Sequence, residues 1–205
     1  AIVVVPGAAG AITPDDVAAA EAAIANADVF ATQFEVALPV VRRGLAIARH
    51  GGTATILNPA PAVANVPAAL YALSDYFTPN ETEAADLAGV PVNTVEEAEA
   101  AADVFLQRGV GAAIVTLGAG GAFVKSSEVR GHVPAMDAGP VVETTGAGDA
   151  FNGALAVAVA EGRALLNAVR FATAAAAISV TRPGTAPSMP ARAEIDALAI
   201  RMEAG

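Results

Sequence analysis

The sequence predicts an α/β domain in which helices wrap a mostly parallel sheet. Short apolar runs alternate with longer segments of helical period, the pattern of strands joined by helical crossovers. Between residues 117 and 140 that rhythm gives way to Gly-rich turns and short β runs, which reads as one or two antiparallel hairpins at an edge of the sheet. With 205 residues, 55% of them hydrophobic, the chain can bury a core and fits one domain over 1–205.

Strands are expected at residues 2–5, 29–33, 53–57, 76–78, 113–117, 122–125 and 129–133, where β-branched and aromatic residues suit a pleated, buried surface. Helices are expected to begin near Pro14, Pro39, Ala68, Glu81, Val95, Ala147, Ala164 and Arg192. The first carries a start signal: Thr13 caps, Pro14 takes the first helical position, and Asp15 and Asp16 face the positive end of the dipole. The second ends at His50, before Gly51 and Gly52, where a cation favours the helix C-terminus. Arg42 and Arg43 read as its solvated face. The Ala-rich tract 172–177 is a close-packed helix, since Phe171 and Ile178 flank it. The chain opens directly on the apolar run "AIVVVPG", so it reads as a cut chain whose sheet lacks its first strands and keeps an edge that something must cover.

Composition excludes several function classes. Zero cysteines rule out disulfides, thiolate nucleophiles and Cys-based zinc sites, and two histidines, His50 and His132, disfavour a His-ligated metal cluster. Any metal must then sit on oxygens. A net charge of -10 argues against a nucleic-acid or anionic-membrane partner, both of which need a cationic footprint. No apolar run reaches the roughly 18 residues of a membrane span, and the basic region of a secretory signal is missing from the start, so a cytoplasmic protein is expected.

The segment "VVETTGAGDAFNGALAVAVAEG" joins an apolar β-branched run to an Ala-rich run through glycines and a single acid, Asp149. A helix N-terminus offers unsatisfied N–H groups and a positive dipole end, and small residues such as Gly146, Ala147 and Gly148 let backbone close around an anion. A carboxylate is awkward beside an anion unless it accepts a proton there, as next to a transferring phosphoryl group. The plainer alternative is that Asp149 only favours the helix dipole and the glycines only turn the chain.

This block resembles the C-terminal signature of the ribokinase-like sugar kinases. Three further blocks match that family in order and spacing: "TPNETEA", with Asn80 and Glu83; "TLGAGGAF", residues 116–123; and "LNPAPA" together with "AAAAISVTRPGTAPSMP", which are closest to the ribose-phosphorylating branch. The resemblance covers residues 1 to about 200 and corresponds to the later part of a family member. It implies a three-layer α/β/α sandwich with a mostly parallel sheet, its N-terminal strands and β lid absent.

The resemblance also implies roles. Asp149 would be the general base that takes the proton from the primary hydroxyl of the sugar as it attacks the γ-phosphate of ATP. Gly146, Ala147 and Gly148 would form the anion hole. Asn80 would contact phosphate and Glu83 would hold Mg²⁺ through water; the alternative for this pair is a plain capping box. Thr116, Leu117, Gly118, Ala119, Gly120 and Gly121 would lie along the nucleotide, the alternative being an ordinary hairpin loop. Thr173 would stand near the adenine, or else be a packed, backbone-bonded residue. A K⁺ site beside the anion hole would use Glu143, Thr145, Ser179, Arg182, Gly184 and Ser188. The family usually has Asp at 143, and the longer Glu would displace or weaken the site. Glu35 matches an acid near the ribose, or is a solvated strand-end acid.

The implied reaction is ATP-dependent phosphorylation of D-ribose at its 5-hydroxyl. A sibling kinase for another sugar or nucleoside, and a nucleotide-binding remnant without turnover, are the alternatives. Most sugar contacts, and the lid that supports a homodimer, would lie in the part of the family's fold that this chain lacks.

Overall fold

The computed structural model describes residues 7–201, so the strand expected at residues 2–5 lies outside the described residues. After a short 3₁₀ turn, the elements run α1 (Pro14–Ala19), α2 (Glu21–Ala25), β1 (Val29–Thr32), α3 (Leu38–Gly51), β2 (Ala54–Leu57), α4 (Ala68–Ala72), β3 (Tyr76–Phe77) and α5 (Glu81–Ala88). Then come α6 (Val95–Gln107), β4 (Ala112–Thr116), β5 (Ala122–Ser126), β6 (Arg130–Val133), α7 (Ala147–Ala160), α8 (Leu165–Ser179) and α9 (Arg192–Arg201). The strands form one six-stranded sheet in sequential order. β1 to β4 pair in parallel through helical crossovers, whereas β4, β5 and β6 form the two expected antiparallel hairpins.

Period-two alternation sends neighbouring strand residues to opposite faces. Leu57, Phe77, Ala113, Val115 and Phe123 join α3 to α6 in one core, while Ile56, Ile114, Val124 and Val133 join α7, α8 and α9 in the other. The result is a three-layer α/β/α sandwich. The first core centres on Phe77 and Phe105, packed edge to face with ring centroids 5.0 Å apart, and Tyr71 stands 5.4 Å from Phe77. In the second, α7 and α8 meet through Ala154, Ala158, Ala168, Ala172 and Ala175, all buried, so small side chains bring the two backbones close. No helix among the described residues is long and apolar enough to cross a membrane.

The ends of the elements follow local rules. Thr13 and Asp16 form a reciprocal capping box on α1, and Gly52 closes α3 with φ +79°, one residue after a last turn that carries Arg49 and His50. The segment expected to run on from Pro14 breaks at Ala20 into α1 and α2. At the amino edge of the sheet, Asp75 accepts the Thr55 amide at 2.9 Å and the Thr55 hydroxyl at 3.0 Å, and pairs with Arg49. Val141 and Val142 are 67% and 59% exposed and form no strand; both the Val142 and Glu143 amides donate to the Val180 carbonyl, at 2.7 and 3.1 Å. The helix that carries Asp149 is therefore entered from an irregular segment braced on the end of α8.

Phe105→Ala is expected to cost about 3–5 kcal/mol, because it empties the centre of the first core. Val157→Ala, at a position 44% exposed, should stay within about 0.5 kcal/mol. Urea unfolding of both variants checks this.

Candidate active site

Of the residues singled out from the sequence, Glu35, Asn80 and Thr116 lie at the carboxyl ends of the parallel strands. Beyond β1, Glu35 is exposed; its amide donates to Gln33 Oε1 at 2.8 Å and its carboxylate accepts from Gln33 Nε2 at 3.3 Å. Beyond β3, Asn80 forms an isolated parallel bridge with Thr116 at the end of β4, where the Thr116 amide donates to the Pro79 carbonyl at 2.9 Å. Two motifs that are well separated in sequence thus meet at one corner.

Asn80 and Glu83 do form a reciprocal cap on α5: the Asn80 amide donates to Glu83 Oε2 and the Glu83 amide to Asn80 Oδ1, each at 2.9 Å. Glu83 is nevertheless only 7% exposed. Burial pushes its carboxyl above the ordinary carboxylate range, against the lowering effect of the Asn80 amide, and the charge of Glu81 raises it further. Its Oε1 takes no part in the cap, and no buried side-chain oxygen among the described residues is left unpaired, so that atom is open to water. One open carboxylate oxygen beside an amide side chain suits a hard cation that keeps most of its waters. Among the described residues no group of three or more His, Asp or Glu side chains could hold a metal by itself.

The turn after β4 carries a 3₁₀ turn at Gly118–Gly120 and is closed by the Leu117 amide donating to the Gly121 carbonyl at 2.8 Å. Gly118, Ala119 and Gly120 are exposed. Gly121 adopts φ +89°, and a Cβ there would run into the backbone of residues 133–135, so this glycine is required by protein packing alone. A ring nitrogen of His132 lies 2.7 Å from the Gly120 carbonyl, which ties the turn to β6.

The N-terminus of α7 is open. Gly146 is the N-cap residue with φ +86°, and no side chain caps the helix; the Ala147 amide donates to the Thr144 carbonyl at 3.2 Å, and the other leading N–H groups, with no side-chain acceptor, are available to an anion. Gly148 has no atom within 4 Å of where a Cβ would stand. Asp149 is exposed in the first turn, at a cavity of about 300 Å³ between α7, α8 and α9 that Val157, Phe171, Met189 and Arg192 also line.

Of the residues expected around a cation, one pair, Glu143 and Gly184, is joined by a hydrogen bond, and the rest are bonded elsewhere or exposed. The Gly184 amide donates to Glu143 Oε2 at 2.8 Å, the Ser188 hydroxyl to the Thr185 carbonyl at 2.6 Å and the Ser179 hydroxyl to the Ala176 carbonyl at 2.8 Å. Arg182 pairs with Glu194, and Thr145 is exposed beside Gly146. Thr173 is buried in α8 and donates to the Val169 carbonyl at 2.9 Å, which is the packed, backbone-bonded alternative for this position. Sequence reasoning passed over Asn58, Thr78 and Asn152. Asn152 lies inside the quoted "GAGDAFNGAL" and accepts from the Thr78 hydroxyl at 2.7 Å, which links the two corners of the site. A polar residue four positions after Gly148 on an Ala-rich helix was the available signal.

The raised carboxyl of Glu83 makes a testable contribution to stability. The folded state holds this proton more tightly than the unfolded chain, so stability declines as pH rises from about 4.3 through the elevated folded value. Glu83→Gln keeps an acceptor for the Asn80 amide and removes the titration. Thermal unfolding between pH 4 and 7 should show a smaller decline in the variant than in the parent; equal slopes would contradict the assignment.

Residues 1–192 match the pfkB family carbohydrate kinases. The chain is 41% identical to the ribokinase of Haemophilus influenzae over 198 residues, covering 94% of this chain and 62% of that protein. It is 34% identical to a deoxyribokinase of Salmonella typhi over 189 residues, covering 92% and 61%. Its fold superposes on a structure of Arabidopsis thaliana ribokinase complexed with ribose and ATP with a TM-score of 0.88 at 30% identity, covering 97% of this chain and 64% of that one. The chain thus spans under two thirds of the length of each of these relatives. With the match running through nearly all of its own length, the chain belongs to the pfkB family of carbohydrate kinases.

Proposed function

We propose that this chain carries the phosphoryl-transfer half of an ATP-dependent kinase for D-ribose, producing ribose 5-phosphate. The observation that carries the reading is the uncapped N-terminus of α7, with Gly146 in the left-handed region and Asp149 exposed in the first turn. A similarity to ribokinases and to a complex with ribose and ATP supports the substrate class.

In this reading the Asp149 carboxylate takes the proton of the 5-hydroxyl as that oxygen bonds to the γ-phosphorus. The bond from the γ-phosphorus to the bridging oxygen breaks and ADP departs. The N–H groups of Gly146, Ala147 and Gly148 donate to the γ-phosphoryl oxygens, and because they are fixed before the reaction they cost little reorganisation. Asn80 would contact phosphate and the open oxygen of Glu83 would hold Mg²⁺ through water, which when bound neutralises charge on the phosphates. Residues 116–120 would lie along the nucleotide, and Glu35 would meet the sugar. Residues 143, 145, 179, 182, 184 and 188 would surround K⁺. Since the Glu143 carboxylate already accepts from Gly184, the loop is tied without a cation, and stimulation by K⁺ over Na⁺ at equal ionic strength should be weak. The small-molecule partners are the sugar and ATP, and a homodimer would form through the region of the family's fold that this chain does not span.

ADP release should be measured with ribose, 2-deoxyribose, fructose and adenosine, on this chain and on this chain preceded by the region its relatives carry in addition. Turnover of ribose above the other acceptors is expected. A preference for 2-deoxyribose would favour the second reading that the deoxyribokinase similarity supports, and ATP binding without any turnover would leave a nucleotide-binding remnant. Asp149→Asn should lower kcat by about 10²- to 10⁴-fold while the ATP dissociation constant stays within about threefold. Turnover retained in that variant would overturn the base assignment.

A further inference from the structure

Asn152 stands one helical turn after Gly148, on the face of α7 that meets the sheet. Both ends of its amide are committed. Oδ1 accepts from the hydroxyl of Thr78 at 2.7 Å, and Nδ2 donates to the carbonyl of Gly148 at 2.9 Å. Thr78 is only 1% exposed and follows directly on β3. It is itself locked in place: its amide donates to the Leu57 carbonyl at 3.0 Å, and its carbonyl accepts from Asn58 Nδ2 at 2.8 Å. The Asn58 amide in turn donates to the Thr32 carbonyl at 3.0 Å. A continuous line of hydrogen bonds therefore runs from the ends of β1, β2 and β3 to the carbonyl of Gly148.

That line ends where the chain has least of its own to hold it. Gly146, Ala147 and Gly148 supply almost no side chain, α7 has no capping side chain, and the space beside Gly148 is open. A turn built to let an anion approach cannot be braced by bulk, so its orientation must come from hydrogen bonds on the side away from the ligand. The amide of Asn152 is suited to this, because it reads a donor at one end and an acceptor at the other. A carboxylate at the same position would set an oxygen against the Gly148 carbonyl, and an apolar residue would bind neither partner.

We infer that Asn152 is a positioning residue: acting through Thr78, it fixes the first turn of α7 so that the N–H groups of Gly146 to Gly148 and the carboxylate of Asp149 keep one orientation relative to the strand ends. The inference rests on the kinase reading for its catalytic consequence but not for its structural one. Asn152 touches no reacting atom. Its loss should lower the rate of transfer and leave the nucleotide bound as before, since ATP draws on contacts elsewhere at the strand ends.

The test uses Asn152→Leu, Thr78→Val and the double variant, with two readouts. Hydrogen exchange of the Ala150, Phe151 and Gly153 amides should accelerate about tenfold in each variant, while the amides of residues 157–160 keep their protection. With the active protein, kcat should fall about tenfold and the KM for ATP should stay within about twofold. The double variant should be no worse than either single one, because both substitutions cut the same line. Unchanged exchange in the first turn, or acceleration spread evenly along α7, would overturn the inference, as would additive losses in the double variant. If the parent transfers phosphate to no sugar yet the selective exchange appears, the tie stands and the kinase reading fails. If the parent is active and all variants keep its kcat and exchange pattern, the kinase reading stands and the tie fails.

Discussion

The central constraint on this structure is that a helix must begin, uncapped, at the carboxyl edge of a parallel sheet. An open helix N-terminus carries unsatisfied N–H groups that ordinarily find a side chain. In α1, α5 and α6 they do, through Thr13, Asn80 and Thr94. α2, α3, α4 and α8 lack a side-chain cap as α7 does, and what sets α7 apart is a left-handed glycine, Gly146, at the N-cap with an exposed acid, Asp149, in the first turn. The cost of that opening is offset by packing behind it: Phe151, Ala154, Leu155 and Ala158 bury the helix against α8 and the strands, so α7 stays folded while its first turn remains exposed.

The surrounding architecture serves this placement. Helical crossovers between β1, β2, β3 and β4 bring their carboxyl ends to one side, which puts Asn58, Thr78, Asn80 and Thr116 in a row before the helix. The opposite edge is clamped by Asp75, Thr55 and Arg49, so the sheet is pinned where nothing needs to bind and left polar where something does. Away from the site, Glu99 bridges Lys125 and Arg130, which hold its carboxyl down to about 2 and tie α6 to the hairpin edge.

Much of the fold was legible because it is written in local patterns. Among the described residues, strand boundaries agree with the apolar runs within a residue or two, the Gly-rich interval announced the hairpins, and Thr13 and His50 marked helix ends as capping rules require. The β-branched pair Val141 and Val142, where no strand was expected, forms none and is held instead by hydrogen bonds from the Val142 and Glu143 amides to the end of α8. The candidate site was legible only in its parts. Gly146 to Asp149 and the Asn80–Glu83 pair stand out by spacing, yet the burial of Glu83 and the demand of Gly121 for glycine come from tertiary neighbours. The bond between Thr78 and Asn152 joins residues from different layers of the fold, and no periodicity within either segment announces it.

The most direct test of this account is a crystal structure of the chain with Mg²⁺ and a non-hydrolysable ATP analogue. The account predicts the terminal phosphate within hydrogen-bonding reach of the N–H groups of Gly146 to Gly148, with the Asp149 carboxylate facing the side from which a hydroxyl would approach. A triphosphate bound away from the first turn of α7, with those N–H groups still facing solvent, would contradict it.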